Sequence, residues 1–299
     1  MLNREVYLND PTIRSLANEG VATVKDDLSK LELDILEYEL RTFVCDGAYA
    51  AGLKKILKSY NTSVEKNGKQ AGVWISGFFG SGKSHLAKMI RALWTNQKLN
   101  DGSYARSLVD LPSDISELFE ILSKLGAQYN GLHAASGTLG SGAGKRVRLS
   151  FLSIIFKSVG LPEQYHLAKF VMWLKAEGIL DNVKTYISQN SKQKEGRNSW
   201  EYELKNLHVS PLIGNALLSS LPGYASDAKE VRDMIRSQYQ VVTDISNEEM
   251  VTAIMDALAI DGDLPLTLVV LDEVQQYIGD SIETAMDVQE LVETCGDDG

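Results

Sequence analysis

The sequence predicts an α/β fold organised around a phosphate-binding loop, and three observations carry that prediction. A short β-branched and aromatic run, Val73-Trp74-Ile75-Ser76, leads into the glycine-rich stretch Gly77-Phe78-Phe79-Gly80-Ser81-Gly82-Lys83-Ser84. An amphipathic segment follows, with Leu86, Met89, Ile90 and Leu93 on one face. Far downstream, the apolar run 266–271 ends in Asp272-Glu273, as a buried strand carrying two acids at its carboxyl end would.

The remaining elements read mainly as helices. Leu33, Leu36, Leu40 and Val44 recur at helical spacing and lead into a second helical stretch, 48–60. The polar segment 61–70, with Gly68, breaks that pattern ahead of the strand at 73–76. Ser113 reads as an N-cap, Asp114 suits the positive end of the helix dipole, and Ile115, Leu118, Phe119, Leu122 and Leu125 share a face that Gly126 closes. Residues 131–138 are expected to form a second strand in spite of their glycines. From 148 to 221 the signals are all helical, with Leu167, Phe170, Val171 and Leu174 as one stripe and Gly178 as its terminator. Ser246 and Glu249 match a capping box ahead of Val251, Ile254, Met255 and Leu258, and Asp261-Gly262-Asp263 turns the chain into the strand at 266–271. The predicted organisation is a helical leader (1–72), the first part of the core (73–140), a helical insertion (141–245), and a second part of the core cut short at its C-terminus (246–299).

Composition narrows the function classes. With 299 residues and 44% hydrophobic content the chain can build a substantial core. Its apolar stretches are too short to cross a bilayer and its start has no basic, then apolar, export pattern, so a cytoplasmic protein with no membrane partner is expected. Cys45 and Cys295 stand in no metal or redox spacing. A formal charge of -10 argues against binding DNA by bulk attraction, while leaving room for a contact through a local basic patch.

The chemistry concentrates in the glycine-rich run, an unbroken G-x-x-x-x-G-K-S of the Walker A type. Such a pattern arises by chance in a chain of this length on the order of one time in a hundred, before its strand-to-helix setting is counted. Its glycines allow consecutive backbone N–H groups to face one concavity, and the helix behind them adds its positive end. Gly77, Phe78, Phe79, Gly80, Ser81, Gly82, Lys83, Ser84 and His85 are therefore the expected nucleotide-binding residues, with ATP and Mg²⁺ as cofactors. Lys83 would neutralise β and γ oxygens, and the Ser84 hydroxyl would meet Mg²⁺. Asp272 would bind Mg²⁺ through water, and Glu273 would polarise the attacking water, as in a Walker B strand. That adjacency favours hydrolysis over simple binding.

Other features carry less. Gly140-Ser141-Gly142-Ala143-Gly144-Lys145-Arg146 imitates a second phosphate loop, but Leu139 stands where its first glycine belongs and Arg146 replaces Ser or Thr. Lys145, Arg146 and Arg148 form a compact basic patch, read as a solvated face. His85, His133, His166 and His208 show no metal-ligand spacing.

The Asp-Glu pair resembles the additional-strand branch of P-loop ATPases, with an AAA+-like core. The run Gly72 to His85, the leader and the Asp272-Glu273 strand together resemble the large P-loop ATPase of BREX-type bacteriophage-defence systems, of which this chain would be the N-terminal piece. That resemblance implies a bacterial, cytoplasmic, ATP-driven motor or switch working with a methyltransferase and other defence-system proteins, able to form homo-oligomers through its ATPase core. It also implies a further strand, carrying a residue that senses the γ phosphate, between the loop strand and the Asp-Glu strand; no such strand is found in this sequence. A structural scaffold that binds ATP without turnover is the competing expectation.

Overall fold

The computed structural model describes residues 29–70, 72–78, 80–139, 146–191 and 198–297. The start of the predicted leader, Phe79 and most of the second loop-like run, with Lys145, lie outside the described residues. What is described is mostly helical, with a two-stranded parallel sheet, and divides into two units: the chain up to Gly137 with Leu266–Asp272, and Thr138–Pro265 with Glu273 onward.

The first unit contains α1 (Lys30–Thr42), α2 (Gly47–Glu65), α3 (Lys83–Trp94), α4 (Ala105–Leu108), α5 (Ser113–Gly126), β1 (Leu132–Thr138) and β2 (Leu266–Asp272). Helix α1 starts at a reciprocal cap: the Ser29 hydroxyl accepts from the Glu32 N–H and the Glu32 carboxylate accepts from the Ser29 N–H. Leu36 and Leu40 of α1, Leu53 and Leu57 of α2, Met89, Leu93 and Trp94 of α3, and Phe119 and Leu122 of α5 are all buried in one core. Each such side chain stabilises the unit by about 1.5–3 kcal/mol relative to exposure. Helix α2 packs on α5, and α3 packs on β2. The Trp94 indole N–H donates to the Leu266 carbonyl at 3.2 Å, and the Leu266 N–H donates to the Gly131 carbonyl at 3.0 Å, tying the end of α3 to the start of the sheet.

Two local expectations change. Residues 73–76 carry strand-forming side chains but lie in no strand, with Val73 58% and Trp74 61% exposed. Strand propensity becomes a strand only when a neighbouring ladder accepts its hydrogen bonds, and the sheet order β1-β2 gives this segment no partner. Ser113 is the first residue of α5, not its cap: the Pro112 carbonyl accepts from Ile115 and Ser116, and Pro112 occupies the cap position. The expected strand at 131–138 forms as β1, and that at 266–271 forms as β2.

Arg106 holds the first unit together in a way the sequence does not announce. Its Nε donates to the Leu93 carbonyl at 2.7 Å, Nη2 to Trp94 O at 2.8 Å, and Nη1 to Phe119 O at 3.1 Å and Ser123 Oγ at 2.6 Å. The guanidinium also lies 4.7 Å from the Phe119 ring centre. It therefore satisfies the carbonyls at the end of α3 and clamps that end to α5. Burial pushes its pKa down to about 10, so it stays charged near neutral pH. Arg106→Ala should destabilise the fold by about 2–4 kcal/mol, because it strands several carbonyls at once. Urea unfolding followed by circular dichroism measures this, and a change below about 1 kcal/mol would refute the clamp.

The second unit is helical: α6 (Val147–Ser158), α7 (Tyr165–Ala176), α8 (Leu180–Asn190), α9 (Ser199–Lys205), α10 (Pro211–Ser220), α11 (Ala228–Gln238), α12 (Asn247–Leu258), α13 (Val274–Ile278) and α14 (Ile282–Asp297). The capping box of Ser246 and Glu249 is present at α12. Asp261 and Gly262 take positive φ of 54° and 93° in the tight turn before β2. Helix α6 packs on α12 and α14, and α10 on α8 and α11. Helix α12, expected to begin the second part of the core, buries Met250 and Ala253 and packs on α6 and α7 instead. The helical unit is thus wider than the predicted insertion 141–245. Among the described residues, no helix is long and apolar enough to cross a membrane.

Candidate functional site

The glycine-rich run folds as an exposed loop that feeds α3. Gly80 and Gly82 have φ of 78° and 81°, a left-handed backbone that side chains other than glycine adopt at a cost. The Ser81 N–H donates to the Phe78 carbonyl at 3.1 Å, closing a turn. Phe78 itself is 92% exposed, so its ring contributes nothing to the core.

Helix α3 begins at Lys83 with Gly82 at its cap position, no side-chain cap and no acid in the first turn. The N–H of Leu86 bonds back to the Gly82 carbonyl at 2.9 Å, which leaves the N–H groups of Lys83, Ser84 and His85 ahead of the first intrahelical bond. Such an end attracts an anion through its partial positive charge and its aimed donors. Lys83 folds back over the loop, its Nζ donating to Gly77 O at 2.9 Å and Phe78 O at 2.8 Å. The ammonium is thereby held at the loop by two neutral acceptors, which a phosphate oxygen outcompetes because a charged acceptor makes the stronger bond.

Ser84 is half-buried in the first turn of α3. The ring of His85 packs against Phe43, centroids 5.7 Å apart, and burial lowers its pKa, favouring the neutral imidazole.

Asp272 is the last residue of β2. Helix α3 packs on β2, and its Trp94 end is bonded to Leu266, the first residue of that strand. Glu273 follows directly, at φ 54°, where a non-glycine residue is strained. Among the described residues no cluster of three or more His, Cys, Asp or Glu side chains could hold a metal by itself.

The two described arginines of the basic patch face carboxylates. Arg146 pairs with Asp244 and Glu283, each at 3.7 Å, and Arg148 with Asp244 at 3.8 Å and Glu290 at 3.4 Å, besides a hydrogen bond from its Nε to Asn247. Arg146 remains more than half exposed, while Arg148 is largely covered. A shallow depression of about 520 Å³ along α11, lined by Asp227, Glu230 and Asp233 among others, gathers no group with catalytic geometry.

Sequence reasoning missed Tyr49. From α2 its hydroxyl donates to the Ser81 carbonyl at 2.9 Å and lies so close over Gly82 that a Cβ there would collide with it. No periodicity or motif links residue 49 to residue 81. No protein-family model and no solved structure matches this chain.

Proposed function

We propose that the chain binds Mg·ATP at Gly77–Ser84 and hydrolyses it as the nucleotide-binding part of a motor or switch, within a bacterial phage-defence system of the BREX kind. One observation carries the nucleotide assignment: the G-x-x-x-x-G-K-S run folds into a loop with left-handed Gly80 and Gly82, leading into a helix end without side-chain cap or acid and with Lys83 drawn over it. Gly80, Gly82 and the backbone of Lys83, Ser84 and His85 would bind the phosphates, Lys83 would neutralise them, and Ser84, with Asp272 through water, would hold Mg²⁺. Mg²⁺, when bound, would supply charge neutralisation for the phosphates. Glu273 orients and deprotonates water. The assignment to a defence system, with a methyltransferase among its partners, rests on sequence resemblance.

Titration calorimetry of the full chain is the direct test, with saturable Mg·ATP binding that weakens when Mg²⁺ is removed by a chelator as the expected result. No heat at millimolar Mg·ATP would overturn the assignment.

A nucleotide-binding scaffold without turnover is favoured by one observation: residues 73–76 and β2 share no ladder, so the loop and Asp272 are not joined through one continuous sheet among the described residues. Turnover demands a stiffer relation between those groups than binding does.

A further inference from the structure

We propose that Tyr49 is a positioning residue of the phosphate loop, its hydroxyl holding the Ser81 carbonyl to one side and thereby turning the Gly82 N–H to the other, toward the bound phosphate. The inference rests on the nucleotide assignment above and extends it to a residue outside the motif.

The physical basis is the planarity of the peptide group. In a trans peptide the carbonyl of Ser81 and the N–H of Gly82 point in opposite directions, so fixing one aims the other. The Tyr49 hydroxyl fixes the carbonyl at 2.9 Å. A glycine at φ 81° has little intrinsic preference to hold that plane, and the loop is exposed, so an external tether is what limits its rotation. Gly82 also has to lack a side chain for the tether to exist, because the hydroxyl occupies the space a Cβ would take.

The tether is itself anchored. The Tyr49 ring packs edge-on against Phe43 with centroids 6.1 Å apart, and Phe43 packs on His85, two residues into the helix that the loop feeds. Leu53 and Leu57, one and two turns further along α2, are fully buried, so the helix carrying Tyr49 is fixed to the core. The loop is thus held from α2 on one side and by Lys83 on the other.

Tyr49→Phe keeps the ring and deletes the tether. The expected result is Mg·ATP affinity about fivefold to tenfold weaker than wild type, the scale of one oriented hydrogen bond, with the nucleotide-free melting temperature unchanged. A ¹⁵N-resolved spectrum of the nucleotide-free variant should move the Gly82 amide resonance, and the shift of that resonance on adding Mg·ATP should shrink, neither of which a loss of general packing would produce selectively. Wild-type affinity in Tyr49→Phe, or an unmoved Gly82 resonance, overturns the positioning role and leaves the nucleotide assignment standing. Weaker binding accompanied by a fall in the nucleotide-free melting temperature overturns it in favour of a packing role. A wild-type chain that binds no Mg·ATP overturns both.

Discussion

Lys83→Ala should weaken Mg·ATP binding by at least about 100-fold, since the variant loses the charge-assisted bonds that its ammonium makes to phosphate oxygens, worth about 3 kcal/mol together. The folded protein should survive the change. Among the described residues the Lys83 ammonium donates to the Gly77 and Phe78 carbonyls, and both lie in an exposed loop where water replaces the lost donor. Unfolding free energy is therefore expected to stay within about 1 kcal/mol of wild type. Calorimetric titration and urea unfolding of the same preparation separate the two quantities. Unchanged affinity would remove Lys83 from the site, and with it the main support for a nucleotide function.

Glu273→Gln should bind Mg·ATP at wild-type strength and lose phosphate release by on the order of 100-fold or more, the usual contribution of a positioned general base. The amide keeps the shape of the side chain and removes its basicity. The left-handed backbone at residue 273 should tolerate the exchange, because φ of 54° penalises Gln no more than Glu. Release of inorganic phosphate measured under single-turnover conditions is the decisive readout. If the wild-type chain binds but releases no phosphate, and Glu273→Gln behaves identically, the scaffold reading replaces the ATPase reading.

How much of this was legible beforehand depends on the range of the interaction. Helix α3 behind the glycine-rich run, the reciprocal cap at Ser246 and Glu249 and the strand ending at Asp272 are all written in residues close together in the chain, and all appear as elements where expected. The error at Ser113 is one of position within a cap, because Pro112 takes the extended conformation, φ -50° and ψ 142°, that the residue before a helix needs. Residues 73–76 show the opposite limit. Their composition is that of a strand, yet a strand exists only in a pair.

By itself, then, the sequence determined the local chemistry of the site: which backbone can turn at Gly80 and Gly82, which charge stands at Lys83, and which hydroxyl and carboxylates are available at Ser84, Asp272 and Glu273. Only the tertiary structure decided what surrounds them, namely Tyr49 over Gly82, Phe43 against His85, Arg106 at the end of α3, and acids facing Arg146 and Arg148. Those contacts join residues separated by 12 to 142 positions, as in Arg106 with Trp94 and Arg148 with Glu290. Periodicity and capping rules act within a few residues, whereas these partners meet only once burial of the apolar faces has chosen which helices lie side by side.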